Sequence, residues 1–268
     1  VIPTDTIDKM ADTFAAISTL GAALTPAQWQ LPTDLPGWTV QDNLSHMVGT
    51  ERMLQGLPAT EHRSGEAAHV RNPIGEWNEH EVDVRRSRSG AEVLAEWNEL
   101  TALRLATLRA GDDEYFAQPA STPTGPGTMA DFLHIRVLDC WAHEQDMRRA
   151  VGVPGSLDSP SAAHTIDRLI RTLGIVVGKR AGTPEGGVVR ITLTGPVERD
   201  LWFEVVDGRA TPRDAADVAP LAGVRLDSEA FAVLALGRRT ADAYADRITL
   251  DGDTELGQRI VDSLNMMI

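Results

Sequence analysis

Residues 128–150, TMADFLHIRVLDCWAHEQDMRRA, decide how the first half of this chain is built. Thr128 follows the Pro/Gly-rich STPTGPG and can cap a helix, and Gly152 with Pro154 ends it, so the stretch predicts one helix of about six turns. Residues four apart stack on one helix face. Asp139 and His143 therefore point the same way, with Arg136 a turn before them and Asp146 a turn after. Phe132, Ile135, Leu138 and Ala142 follow the same period, which puts this polar row along or beside a buried stripe. Ionisable groups at the edge of a buried face need partners, because unpaired buried charge is expensive. A metal ion is one such partner, and an internal salt-bridge network is another.

Working outward, residues 4–24 carry Ile7, Met10, Phe14, Ile17, Leu20 and Leu24 at spacings of three and four, the pattern of an amphipathic helix. Pro36-Gly37 breaks the chain, and Thr39 or Asp42 starts a second helix running to about Leu54. Its apolar face holds Trp38, Val40, Leu44, Met47 and Val48, with His46 beside them. Residues 62–73 lack a period and are expected to be a loop, followed by helices over about 74–87 and 90–110. The latter two carry Trp77, Val82 and Val84, then Val93, Leu94, Trp97, Leu100 and Leu103. Residues 111–127 are Gly-, Pro- and Asp-rich and are expected to be a plain connection. Four main helices before residue 150 imply an antiparallel four-helix bundle. Trp29, Trp38, Trp77, Trp97 and Trp141 are expected in or around its core.

The pattern changes after Gly155. SLDSPSAA is a linker, and residues 162–177 are expected to form one helix. VVRITLTG (188–195) and DLWFEVVDGRA (200–210) alternate apolar and polar residues across a short turn, a hairpin signal. VRLDS (224–228), the helix EAFAVLALGRRT, RITLDGD (247–253) and the helix ELGQRIVDSLN complete an α+β pattern. The boundary falls near residues 153–160, giving domains over 1–153 and 160–268.

Composition narrows the function. The 268 residues are 42% hydrophobic, as in globular proteins, and 39 acidic against 25 basic residues give a net charge of −14. That balance disfavours nucleic acid and anionic membrane surfaces as partners, since both select for basic patches. No apolar run approaches the roughly 18 residues of a membrane span, and the N-terminus lacks the order of a secretory signal. One cysteine, Cys140, cannot form an internal disulfide, which fits a reducing, cytoplasmic setting. Cys140 is expected to be a small core filler. Glu144 and Arg148 have the spacing of an intrahelical ion pair, and Arg136 can pair with Asp139.

His46 with Asp139 and His143 is the candidate metal set. Imidazole plus carboxylate suits zinc or another divalent transition metal, and three protein ligands leave a position for water or substrate. Spacing alone leaves the metal and the structural Asp–His pair both open. Asp146, one turn past His143, can orient that ring. Gly237-Arg238-Arg239 ends an apolar helix, where cations favour the helix dipole.

Two stretches together resemble a known family. LPGWTVQDNLSHMVGTE (35–51) resembles the first metal-ligand helix of the mycothiol-dependent maleylpyruvate isomerases, a branch of the DinB-like metal-binding bundles, and RVLDCWAHEQDMRRAVG (136–152) resembles their second. ITLTG, WFEVVDG, ALGRR and ITLDGDTELGQRI resemble more loosely the small sterol-carrier-like α+β domain that follows the bundle. The resemblance implies a divalent metal, usually zinc, on His46, Asp139 and His143. It also implies mycothiol as a thiol cosubstrate, held between the two domains, with Arg238 holding an anionic substrate or the cofactor. The best-known members carry Glu at the Asp139 position; Asp is one methylene shorter, which leaves direct and water-mediated ligation open. The expectation is a thiol S-transferase or isomerase acting on a small electrophile, as monomer or homodimer. A small-molecule or lipid-binding protein with a structural metal site, and a metal-dependent hydrolase, are the alternatives.

Overall fold

Four helices whose buried faces are read above pack into a ring. The structure is a computed structural model and describes residues 1–215 and 219–266. It divides into two compact units, Val1–Ser156 and Leu157–Ile268.

In the first unit α1 (Thr4–Ala22) buries Ile7, Met10, Phe14, Ile17 and Leu20 on one side. A single turn, α2 (Pro26–Trp29), leads to α3 (Val40–Leu54); α4 (Pro73–Asp83) and α5 (Gly90–Ala110) follow. Then come the short α6 (Asp113–Ala117), the strands β1 (Pro119–Thr122) and β2 (Gly125–Thr128), and α7 (Met129–Val151). Helix α1 packs on α5 and α7, and α3 packs on the same two, so the ring runs α1, α5, α3, α7. Phe14 and Trp97 meet edge-to-face at 5.0 Å in its core.

Helix ends follow the sequence signals. Thr39 caps α3 and Thr128 caps α7, each also donating its own N–H to the carboxylate of Asp42 or Asp131, and Gly152 stops α7 at φ 69°. Residues 111–127 are not the plain connection expected. Asp112 caps α6, and β1 and β2 pair in antiparallel register, elements too short for a periodic signal. Among the tryptophans, Trp29, Trp97 and Trp141 are buried, whereas Trp38 and Trp77 are only half-buried. Leu103, assigned to the apolar face of α5, is exposed.

The second unit begins with α8 (Pro160–Ile170), α9 (Leu173–Ile175) and a π-helical turn over Val176–Arg180. Strands β3 (Val188–Thr194), β4 (Arg199–Val206), β5 (Arg209–Arg213), β6 (Ala222–Asp227) and β7 (Ile248–Gly252) form a sheet in the order β5-β4-β3-β6-β7. β3 and β6 are parallel; every other neighbouring pair is antiparallel. Helix α10 (Ser228–Ala235) follows β6, a 3-10 segment (Ala241–Arg247) precedes β7, and α11 (Thr254–Asp262) follows β7.

Two expectations are corrected here. Residues 162–177 are not one helix: α8 ends at Ile170, and Thr172 donates to the Leu169 carbonyl at 2.7 Å. The chain then turns so that Gly174 and Gly178 lie against the Ala210 backbone of β5; a Cβ on either would come within 2.8 Å of it. Residues 200–210 are not one strand either. Asp207 (φ 52°) and Gly208 (φ 72°) make a two-residue turn between β4 and β5, and the Glu185 carboxylate accepts both of their N–H groups at 2.8 and 3.0 Å.

The close approach at Gly178 generates a test. Gly178→Ala forces a methyl against the Ala210 backbone and is expected to cost about 1–3 kcal/mol. The loss should appear as a lower urea midpoint at unchanged slope; an unchanged midpoint would mean the turn can retreat from β5.

Candidate metal centre

Helix α3 is the unusual element, because every residue from Val40 to Glu51 is buried. Its polar side chains must therefore find partners inside the protein. Gln41 donates to the carbonyls of Arg85 and Arg88 at 3.1 and 2.9 Å, and Ser45 donates to the Gln41 carbonyl at 2.9 Å. His46 and Glu51 reach across to α7.

There His46 meets Asp139 and His143. His46 Nε2 lies 3.4 Å from Asp139 Oδ2, and His143 Nε2 lies 3.6 Å from Asp139 Oδ1. The imidazole centroids are 4.7 Å apart, and one ligand atom from each of the three residues falls within 4.8 Å of the others. The histidine side chains are 8% and 7% exposed against 28% for Asp139, so solvent reaches the cluster at the carboxylate.

The protonation pattern suits a cation. Asn43 Nδ2 donates to Thr33 Oγ1 (3.1 Å) and to the Thr39 carbonyl (2.9 Å), which leaves its Oδ1 facing His143 Nδ1 at 2.7 Å. That nitrogen must carry the proton, so a neutral His143 turns the lone pair of Nε2 toward a carboxylate oxygen. Two acceptors then face each other, an arrangement that a cation between them satisfies. Burial pushes the His46 imidazole below its ordinary value, against the opposing pull of Asp139, and so favours a neutral ring. Burial would raise Asp139, but the Arg136 charge, the largest opposing influence, holds the carboxyl well below the usual range. Neutral imidazoles and an ionised carboxylate are the states that bind metal. His46 Nδ1 is buried with no hydrogen-bond partner.

Arg136 ties this cluster to a buried ion network. Its Nε donates to Glu51 Oε1 at 2.8 Å, Nη1 donates to Asp139 Oδ2, and Nη2 contacts Cys140 Sγ at 3.0 Å. Arg104 Nε donates to the other Glu51 oxygen at 3.2 Å and Nη1 to the Tyr115 hydroxyl at 2.9 Å. Burial pushes the Cys140 thiol well up, so it stays protonated and serves as packing.

Other candidate residues sit less directly. Asp146 Oδ2 is 3.5 Å from His143 Nδ1, and its Oδ1 accepts from Arg149. Asn43 makes the shorter contact to that ring and was missed in the sequence, although it lies one turn before His46 on α3. Glu144 and Arg148 form the expected pair at 2.7 Å. Arg238 belongs to the second unit. It follows Gly237 (φ 66°) beyond α10, donates to the Leu236 carbonyl at 3.0 Å, and lines a cavity of about 420 Å³ with Arg239, Thr240, Val261, Asp262 and Asn265.

Fold and site define a helical bundle carrying two histidines and a carboxylate on two facing helices. The family model of the mycothiol maleylpyruvate isomerase N-terminal domain matches residues 10–148, and the chain belongs to that family. Uncharacterized proteins from two strains of Mycobacterium tuberculosis are 29% identical over 196 residues, covering 69% of this chain and 71% of theirs. Crystal structures of the mycothiol-dependent maleylpyruvate isomerase and of a mutant of it share the fold. Their TM-scores are 0.55 and 0.57 and their identities 16% and 15%, over 92% of each chain.

The ion network can be tested apart from any ligand. Glu51→Gln removes the carboxylate that the buried Arg104 and Arg136 guanidiniums share and should cost about 3–5 kcal/mol by chemical denaturation at neutral pH. A loss below about 1 kcal/mol, the scale of a surface pair, would show that Glu51 is not the anchor of that network.

Proposed function

We propose that this protein is a thiol-dependent S-transferase or isomerase, with mycothiol as the thiol and a divalent cation held by His46, Asp139 and His143. The observation that carries it is the convergence of these three side chains across α3 and α7, with one ligand atom from each within 4.8 Å of the others and Asn43 engaging Nδ1 of His143 so that Nε2 faces the carboxylate. Membership in the mycothiol maleylpyruvate isomerase N-terminal domain family supports the choice of thiol. Two imidazoles and a carboxylate suit zinc and leave a coordination position open. A cation there supplies the Lewis acidity that keeps a thiol ionised near neutral pH.

The chain's own residues prepare the site for that cation. Asn43 fixes the proton on the far nitrogen of His143, and Arg136 keeps Asp139 ionised. Asp146 adds negative charge behind the same ring, 3.5 Å from Nδ1. In the second unit, Arg238 is the residue we assign to an anionic group of substrate or thiol, since a guanidinium binds a carboxylate through two hydrogen bonds. The thiolate adds to an electrophilic carbon of a small substrate, forming an S–C bond as that carbon's π bond breaks and its electron pair moves onto the activating group. Protonation of that pair leaves a lasting S-conjugate, a transfer; rotation followed by return of the pair and expulsion of the thiolate makes an isomerisation. Among the described residues no helix is long and apolar enough to cross a membrane.

Elemental analysis of the purified chain beside His46→Ala and Asp139→Ala tests the assignment. About one divalent ion per chain, absent from both variants, is the expected result. Metal lost only from His46→Ala would remove Asp139 from the ligand set, and no metal after supplementation would sink the proposal. With electrophile screens, turnover should require added thiol; turnover without any thiol would make the protein a hydrolase.

A further inference from the structure

Trp38, half-buried, lies beside the cluster. Its indole centroid is 5.3 Å from the His46 ring and 6.0 Å from the His143 ring, tilted 36° and 35° to them. One aromatic plate thus covers both imidazoles. Its backbone is pinned, because the Trp38 carbonyl accepts from both the N–H and the hydroxyl of Thr33, each at 3.0 Å. Its ring is pinned too, because Nε1 donates to Glu79 Oε2 at 3.0 Å.

Glu79 is 1% exposed and holds more than the indole. It accepts from His69 Nε2 at 2.9 Å and pairs with Arg86 Nη1 at 2.7 Å. Burial raises this carboxyl, but the hydrogen bonds from Trp38, His69 and Arg86 outweigh that effect and keep it ionised. A buried carboxylate with three donors is a rigid post. Gly37 precedes the indole at φ 79°, and a Cβ there would lie 2.5 Å from His69 Nδ1, so the loop and His69 are closely fitted.

We infer that Glu79 is a positioning residue of the candidate metal centre, acting through the Trp38 indole it anchors to set the two imidazole planes and close that side of the site to water. The inference rests on the proposed function, where it adds the means by which His46 and His143 are held ready. Solvent then meets the cluster at Asp139, in accord with the greater exposure of that side chain.

The test uses the full chain with Glu79→Gln, Trp38→Phe and the double variant. In zinc titrations against a chromophoric chelator, each single change should weaken binding about tenfold or more, the usual scale for groups behind a ligand. Because Glu79 acts through the indole N–H, adding Glu79→Gln to Trp38→Phe should change affinity no further, whereas independent effects would multiply. Multiplying losses overturn the inference, since Glu79 would then act on the fold through Arg86 or His69. Imidazole proton–nitrogen spectra of the metal-free chain give a second readout. Glu79→Gln should move the ring resonances of both His46 and His143 while leaving the circular dichroism spectrum unchanged. Unmoved resonances overturn the inference whatever the metal result. A wild-type chain that takes no zinc, but whose histidine resonances do move, would retire the metal assignment and leave the positioning role standing.

Discussion

Glu51 is the charge on which the inside of the bundle depends. It joins Arg104 of α5 to Arg136 of α7, and Arg136 in turn holds Asp139 and contacts Cys140. The two guanidiniums and two carboxylates of this network balance one another, the condition under which buried ions are tolerated. The ring of helices brings them together, and their need for partners fixes how α3, α5 and α7 meet. The candidate ligands lie at the end of that chain of charges. Asp139 belongs to both the packing network and the candidate metal cluster, so stability and the proposed chemistry draw on the same carboxylate.

That arrangement explains which parts were legible in the sequence. The Asp139–His143 pair was visible because i,i+4 spacing survives any tertiary context. His46 was visible only as a histidine beside an apolar face; the resemblance of its helix to a known motif supplied the rest. Asn43 went unnoticed because asparagine in a helix commonly signals nothing, and its partner lies 100 residues away. Glu79 and His69 escaped as well. Glu79 is joined to Trp38 and to His69, both outside the helices, where no periodicity indicates which way a side chain points.

Fold elements show the same division. Helices with a one-sided apolar stripe and a Thr or Ser cap were read to within a few residues, as at Thr39 and Thr128. Helix α3 had its stripe read correctly, yet the stripe understated its burial, since hydrogen bonds rather than apolarity let Gln41, Asn43 and Ser45 lie inside. The misread pieces were those whose conformation is imposed from outside. The stretch after Ile170 has helical composition but is bent by its contact with Ala210, and the Asp207-Gly208 turn was hidden within an apparently continuous strand.

The contact at Ala210 reaches beyond the local bend. β5 ends the sheet on one side, and an open strand edge invites a strand from another molecule. Here Gly174 and Gly178 press on the Ala210 backbone, Pro212 has no N–H to lend, and Arg209 and Arg213 place charge at both ends of the strand. The sheet is thereby finished on that side. It is therefore a poor template for a strand from a neighbouring chain.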